Sequence, residues 1–119
     1  MKNLSNCVQL IGNLGKDVEI LDVGNGGKLA KVSIATSDYY YNKEGEKIES
    51  TEWHNLVAWG KTAELMSSLA CKGSQLMISG KLTNRSYENK EGVKKYVTEV
   101  KVDNFQLLRN GAERTKNPF

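Results

Sequence analysis

Trp53 and Trp59 stand six residues apart, an even interval that puts both rings on one face of an undistorted strand. Tyr39-Tyr40-Tyr41 lie ahead of them and Tyr87 behind, so aromatic residues that make up only 8% of the chain are unevenly placed. Eight cations interleave with these rings: Lys28, Lys31, Lys43, Lys61, Lys72, Arg85, Lys94 and Lys95. Flat rings beside positive charge suit an unpaired nucleobase, because every base offers a π-face and every phosphate a negative charge. Each such stack is worth roughly 1–3 kcal/mol. A plainer reading stands beside this one. A Trp or Tyr in a small β-domain is usually core, and scattered lysines are usually a solvated surface. Consecutive strand residues alternate faces, so at least one ring of Tyr39-Tyr40-Tyr41 must point outward.

Other chemistries fit poorly. Gly60-Lys61-Thr62 imitates the end of a phosphate-binding loop, but Asn55 occupies the place of the motif's first glycine, inside a strand. Neither glycine-rich turn, 12–15 or 24–27, has the order of a dinucleotide site. Cys7, Cys71 and His54 are too few for a four-ligand zinc site, and His54 has no Ser or Cys pattern to activate. Asp17, Glu19 and Asp22 would gather on one edge as a nuclease metal site does, yet such carboxylates far more often serve solubility. The expectation is no enzyme, no metal and no cofactor.

The elements that must position the rings follow from hydrophobic spacing. Cys7 to Ile11 is short and β-branched, Val18 to Val23 continues extended, and Gly24 to Gly27 marks a tight reversal. Lys28 to Thr36 alternates, with Ala30, Val32 and Ile34 on one face and Lys31 and Ser33 on the other. Ile48 to Trp59 is a strand long enough to bend. The period then changes: Thr62 is the expected N-cap of a short helix carrying Leu65, Met66 and Leu69, with Lys72 in its last turn and Gly73 just past its end. Gln75 to Leu82 and a strand through Tyr96, Thr98, Val100 and Val102 complete the order, with polar hairpin tips at 42–46 and 89–92. Three strands, one helix and two strands predict an all-β OB-fold: a five-stranded antiparallel Greek-key barrel with one short helix between strands three and four.

At 119 residues the chain predicts one domain over 1–108 and a short polar C-terminal tail over 109–119. Hydrophobic residues at 39% and charged residues at 26% exclude a disordered composition. A net charge of +3 is compatible with a nucleic-acid partner without demanding one. No apolar run nears the roughly 20 residues of a membrane span, and the first residues lack a signal-peptide core. The expectation is therefore a cytoplasmic protein, with Cys7 and Cys71 as reduced core thiols.

Several stretches are distinctive in combination. Val8-Gln9-Leu10-Ile11-Gly12-Asn13-Leu14-Gly15, then Asn25-Gly26-Gly27 and Ser33-Ile34-Ala35-Thr36-Ser37, are followed by Thr51-Glu52-Trp53-His54 and Trp59-Gly60-Lys61. Lys72-Gly73-Ser74-Gln75 and Ile78-Ser79-Gly80-Lys81-Leu82 continue in register. Over roughly residues 4 to 108 this order resembles the bacterial single-stranded DNA-binding protein family.

That resemblance implies base stacking on Tyr40, Trp53, Trp59 and Tyr87. Tyr40 and Tyr87 stand where relatives often have Trp, and Trp59 where they often have Phe. It also implies phosphate contacts at basic positions including Lys61, Lys72 and Arg85, although Thr83 and Ser86 lack the charge many relatives carry there. A homotetramer with His54 bearing on subunit association is implied too. Relatives end in a linker and an acidic tip that recruits replication and repair proteins. Here Pro118 and Phe119 keep the hydrophobic tip without the acidic residues close before it. The expected function is non-sequence-specific binding and protection of single-stranded DNA in replication, recombination and repair. The alternative is a primosomal OB-fold accessory protein, dimeric and acting mainly through protein partners; a small nuclease is the remaining rival.

Overall fold

A computed structural model describes residues 5–25 and 27–110. Its elements are β1 (Val8–Leu14), β2 (Glu19–Asp22), β3 (Lys28–Tyr41), β4 (Lys47–Trp59), α1 (Gly60–Leu69), β5 (Gln75–Glu88) and β6 (Lys94–Arg109). The period-two pattern of the sequence becomes the wall of a barrel. β3 buries Ala30, Val32 and Ile34, β5 buries Leu76 and Ile78, and β6 buries Val100 and Val102.

The strands close into a ring. β1 pairs with β5, β5 with β6, β6 with β4, β4 with β3, and β3 returns to β1. The end of β1 and the whole of β2 lie in succession along β3, Leu14 opposite Ile34 and Glu19 opposite Lys31. They are one bent strand, so the barrel has the five positions of an OB-fold. In a ring of five, strand directions cannot alternate all the way round. One seam must be parallel, and it is β4–β6, registered at Leu56–Val100 and Val57–Lys101. The remaining pairings are antiparallel, as expected. β1 crosses close over β3 at Gly12, where a Cβ would sit 2.2 Å from the Ala35 carbonyl oxygen.

The helix departs from the sequence expectation. α1 starts at Gly60 directly from the end of β4; Trp59 is its N-cap without a side-chain cap bond, and Thr62 falls inside the first turn. With no loop between strand and helix, the exit of β4 sets the helix rotation. Small residues, Ala63 and Ala70, together with Met66 face the barrel, while Leu65 and Leu69 are 42% and 51% exposed. Cys71 is partly buried but Cys7 is exposed, both as free thiols. The expected core role fails for Cys7, which precedes the first paired residue, Val8.

Two ribbons run on beyond the barrel, β3–β4 toward residues 42–46 and β5–β6 toward residues 89–93, and the molecule spans 53 by 38 by 37 Å. Both tips read Asn-Lys-Glu-Gly and fold alike. The Asn42 side-chain oxygen accepts from the backbone N–H of Glu44 and Glu46 at 3.0 and 2.9 Å. Asn89 accepts from Glu91 and Val93 at 2.9 and 3.0 Å. Gly45 and Gly92 take φ of 82° and 80°, where an L side chain is strained.

Candidate nucleic-acid interface

The register of β3 against β4 decides which way the tryptophans face. Leu29, Lys31, Ser33 and Ala35 stand opposite Trp59, Val57, Asn55 and Trp53. Paired residues share a face, so these eight form one surface, while Ala30, Val32, Ile34, Leu56 and Ala58 turn into the core. Trp53 is 60% and Trp59 49% exposed. The core reading, open at the level of sequence, does not hold for either indole.

Trp53 has a firm seat. A Cβ built on Gly15 would lie 2.5 Å from Cζ3 of its ring, so the bend between β1 and β2 comes right against the indole because residue 15 has no side chain. Gly15 donates its N–H to the Ser33 carbonyl at 3.1 Å, which fixes that bend against β3. Composition gave no signal for this packing role.

Tyr39, Tyr40 and Tyr41 are all exposed, because both faces of the β3–β4 ribbon meet solvent. The ladder puts Tyr39 opposite Glu49 and Tyr41 opposite Lys47, continuing the face of Trp53, whereas Tyr40 sits opposite Ile48 on the other face. Tyr39 and Tyr41 meet edge to face with centroids 5.9 Å apart, and the Lys47 ammonium lies 4.6 Å from the Tyr39 centroid. Tyr87 is exposed on β5 with the Arg85 guanidinium 5.9 Å from its ring. Tyr96, in sequence only a strand marker, is exposed on β6 with the Lys94 ammonium 5.8 Å from its centroid.

Between the β3–β4 face and the β5–β6 ribbon run two adjoining clefts of about 300 and 380 Å³. Both are lined by Lys31, Val57, Arg85 and Glu99; the larger adds Trp59 and Lys101, the smaller Lys16 and Asn55. Nothing local in the sequence marks Lys16 or Lys101 as lining these clefts. Lys61 is exposed in the first turn of α1, two residues past Trp59. Lys43 lies at the tip of one ribbon, Lys94 and Lys95 flank the tip of the other, and Lys72 lines neither cleft.

Two of the expected cations are already compensated. Lys28 pairs with Asp22, whose hydrogen bond and charge raise the ammonium pKa above its ordinary value. Arg85 pairs with Glu99, and the hydrogen bonds and charge of that carboxylate raise the guanidinium pKa. Two of the three carboxylates considered for a metal have partners: Asp17 accepts the Lys72 backbone N–H at 2.7 Å and Asp22 holds Lys28. Among the described residues no group of three His, Cys, Asp or Glu side chains is placed to hold a metal ion. His54 is half-buried, its Nε2 3.0 Å from the Thr36 hydroxyl across the ladder. Pro118 and Phe119 lie outside the described residues.

A closed five-position barrel with one plugging helix, and an open aromatic face beside a cationic cleft, define a nucleic-acid-binding OB-fold. Residues 5–108 match the model of the single-strand binding protein family, and the chain belongs to that family. It is 40% identical over 112 residues to single-stranded DNA-binding protein 1 of Xylella fastidiosa, covering 93% of this chain and 82% of that one. It is 42% identical over 104 residues to single-stranded DNA-binding protein 1 of Chlorobaculum tepidum, covering 87% of this chain and 64% of that one. Among solved structures it is similar to the Plasmodium falciparum SSB complex with ssDNA, with a TM-score of 0.80 at 25% identity over 91% of this chain and 97% of that one. A deletion mutant of the Thermus aquaticus single-stranded DNA binding protein gives a TM-score of 0.76 at 26% identity, over 87% of this chain and 50% of that one.

Proposed function

We propose that this chain binds single-stranded DNA without regard to sequence, coating and protecting it during replication, recombination and repair. The observation that carries the reading is the outward placement of Trp53 and Trp59, 60% and 49% exposed, on the face that carries Lys31. Bases stack on Tyr40, Trp53, Trp59 and Tyr87, with Tyr39, Tyr41 and Tyr96 as further exposed rings. Because Tyr40 lies on the opposite face from Trp53, the strand wraps the β3–β4 ribbon instead of lying along one side of it. Lys31, Lys43, Lys61, Lys72, Lys94 and Lys95 track the backbone, and Lys28 and Arg85 add less because carboxylates already hold them. The protein does no chemistry on the strand. Family membership supports a homotetramer with His54 near a subunit contact. It also supports action in the cytoplasm on the nucleoid; for recruitment of other replication and repair proteins through Pro118 and Phe119 the hydrophobic pair is kept, but the acidic residues that relatives carry close before it are missing. Among the described residues no helix is long and apolar enough to cross a membrane.

The test is competition. Labelled oligo-dT held by the protein is expected to be displaced by unlabelled oligo-dT and not by duplex DNA of equal length. Equal displacement by the duplex, or cleavage of the strand in magnesium, would refute the reading. A second expectation concerns the seat of Trp53. Gly15→Ala must push the indole aside, and because Trp53 lies outside the core the barrel gives little stability away. Affinity for oligo-dT falls by up to the roughly 1–3 kcal/mol of one stack. Unchanged affinity with an unshifted Trp emission maximum would show that the contact does not position the ring.

A further inference from the structure

We infer that Glu99 takes Arg85 out of the phosphate-binding set and holds it as a neutral, flat extension of the Tyr87 platform, so that this part of the cleft receives bases and turns phosphates away. The inference rests on the reading that a single strand occupies the cleft.

The geometry is a two-pronged fork. Arg85 Nε donates to Glu99 Oε1 and Nη2 to Oε2, each at 3.1 Å. The ladder puts Thr83 opposite Glu99, which makes Arg85 the diagonal neighbour on the same face, within reach of a long side chain. The two partners differ in exposure. The Glu99 side chain is 9% exposed and the Arg85 side chain 49%. Both carboxylate oxygens are engaged by the guanidinium, and little water reaches them. Swinging Arg85 onto a phosphate would strand a nearly buried carboxylate without its partner, beside a second anion, which is the costly arrangement. The fork therefore stays closed when a strand arrives.

A closed fork carries no net charge. What remains accessible is the guanidinium of a half-exposed side chain, its central carbon 5.9 Å from the Tyr87 ring centre, a group on which bases stack well. Lys31, on the β3 side of the same clefts, has no carboxylate partner among the described ion pairs, so the phosphate charge falls to it and not to Arg85. Glu99 thus acts as a positioning residue: it touches no strand itself and determines what its neighbour binds.

The test reads salt dependence between 50 and 200 mM NaCl. Oligo-dT and an abasic oligonucleotide of equal length are titrated into the full chain, into Glu99→Gln, and into the double variant Arg85→Gln with Glu99→Gln. One phosphate on a single strand contributes about 0.7 to the slope of log affinity on log salt, roughly 2.6-fold over this range. Glu99→Gln frees a positive charge, so its slope steepens by about 0.7 and it gains affinity for the abasic strand. The double variant restores neutrality with an amide pair and keeps the wild-type slope while binding oligo-dT more weakly. A wild-type slope in Glu99→Gln, or a double variant shallower by about 0.7, would make Arg85 a phosphate contact and overturn the inference. Should Glu99→Gln fail to fold, the slope of the double variant decides alone. Wild-type protein that fails to bind oligo-dT at all overturns the function itself, and this inference with it.

Discussion

Replacing Trp53 and Trp59 together by alanine is expected to lower affinity for oligo-dT by about 2–6 kcal/mol, the sum of two stacks of roughly 1–3 kcal/mol each. Summing is justified by distance. Six residues of strand separate the rings by about 20 Å, beyond the range at which substitutions usually couple. The fold should survive, because the indoles are 60% and 49% exposed and the core is closed beneath them by Leu56 and Ala58. Fluorescence anisotropy of a labelled strand measures the loss, and thermal unfolding followed by circular dichroism checks the fold. A double variant that binds within about twofold of wild type would contradict the stacking account, since even one weak stack of about 1 kcal/mol is fivefold.

The opposite separation is expected of Ile78→Ala. Ile78 is 0% exposed and stands between Leu10 of β1 and Phe105 of β6. Removing three carbons from so closed a site loses their burial and leaves a cavity, at a cost of about 2–5 kcal/mol. For a domain of this size that lowers Tm on the order of 10 °C. Affinity of the molecules that remain folded should hardly change, because Ile78 lines neither cleft. A Tm drop of under about 2 °C would show that the barrel interior is misassigned.

These two variants divide what the sequence makes legible from what it hides. The alternation of Ala30, Val32 and Ile34 announced the core face of β3, and the even spacing of Trp53 and Trp59 announced a shared face. The direction of that face needed the register with β3. The tips at 42–46 and 89–92 are readable because Asn and Gly dictate the turn locally. Thr62 misled as an N-cap because the covalent continuation of β4 into α1 outweighs a capping preference worth about 1 kcal/mol. Tyr39 and Tyr41 looked no different from Tyr40 in sequence; only the ladder separates their faces. The parallel seam follows from the parity of a closed ring, which no local pattern reports. Glu99 and Gly15 were illegible for the same reason. Each acts on a side chain many residues away, Arg85 and Trp53, and the contacts exist only once the strands are in register.

The chain contains two tryptophans, and both lie on the proposed binding surface, so their emission reports that surface with no other indole to dilute it. Intrinsic tryptophan fluorescence during a titration with oligo-dT is therefore the most direct measurement. Progressive quenching that saturates with the strand is the expected result, as bases come face to face with the two rings. Saturated binding with emission unchanged would mean that the strand lies elsewhere and that the rings do not hold it.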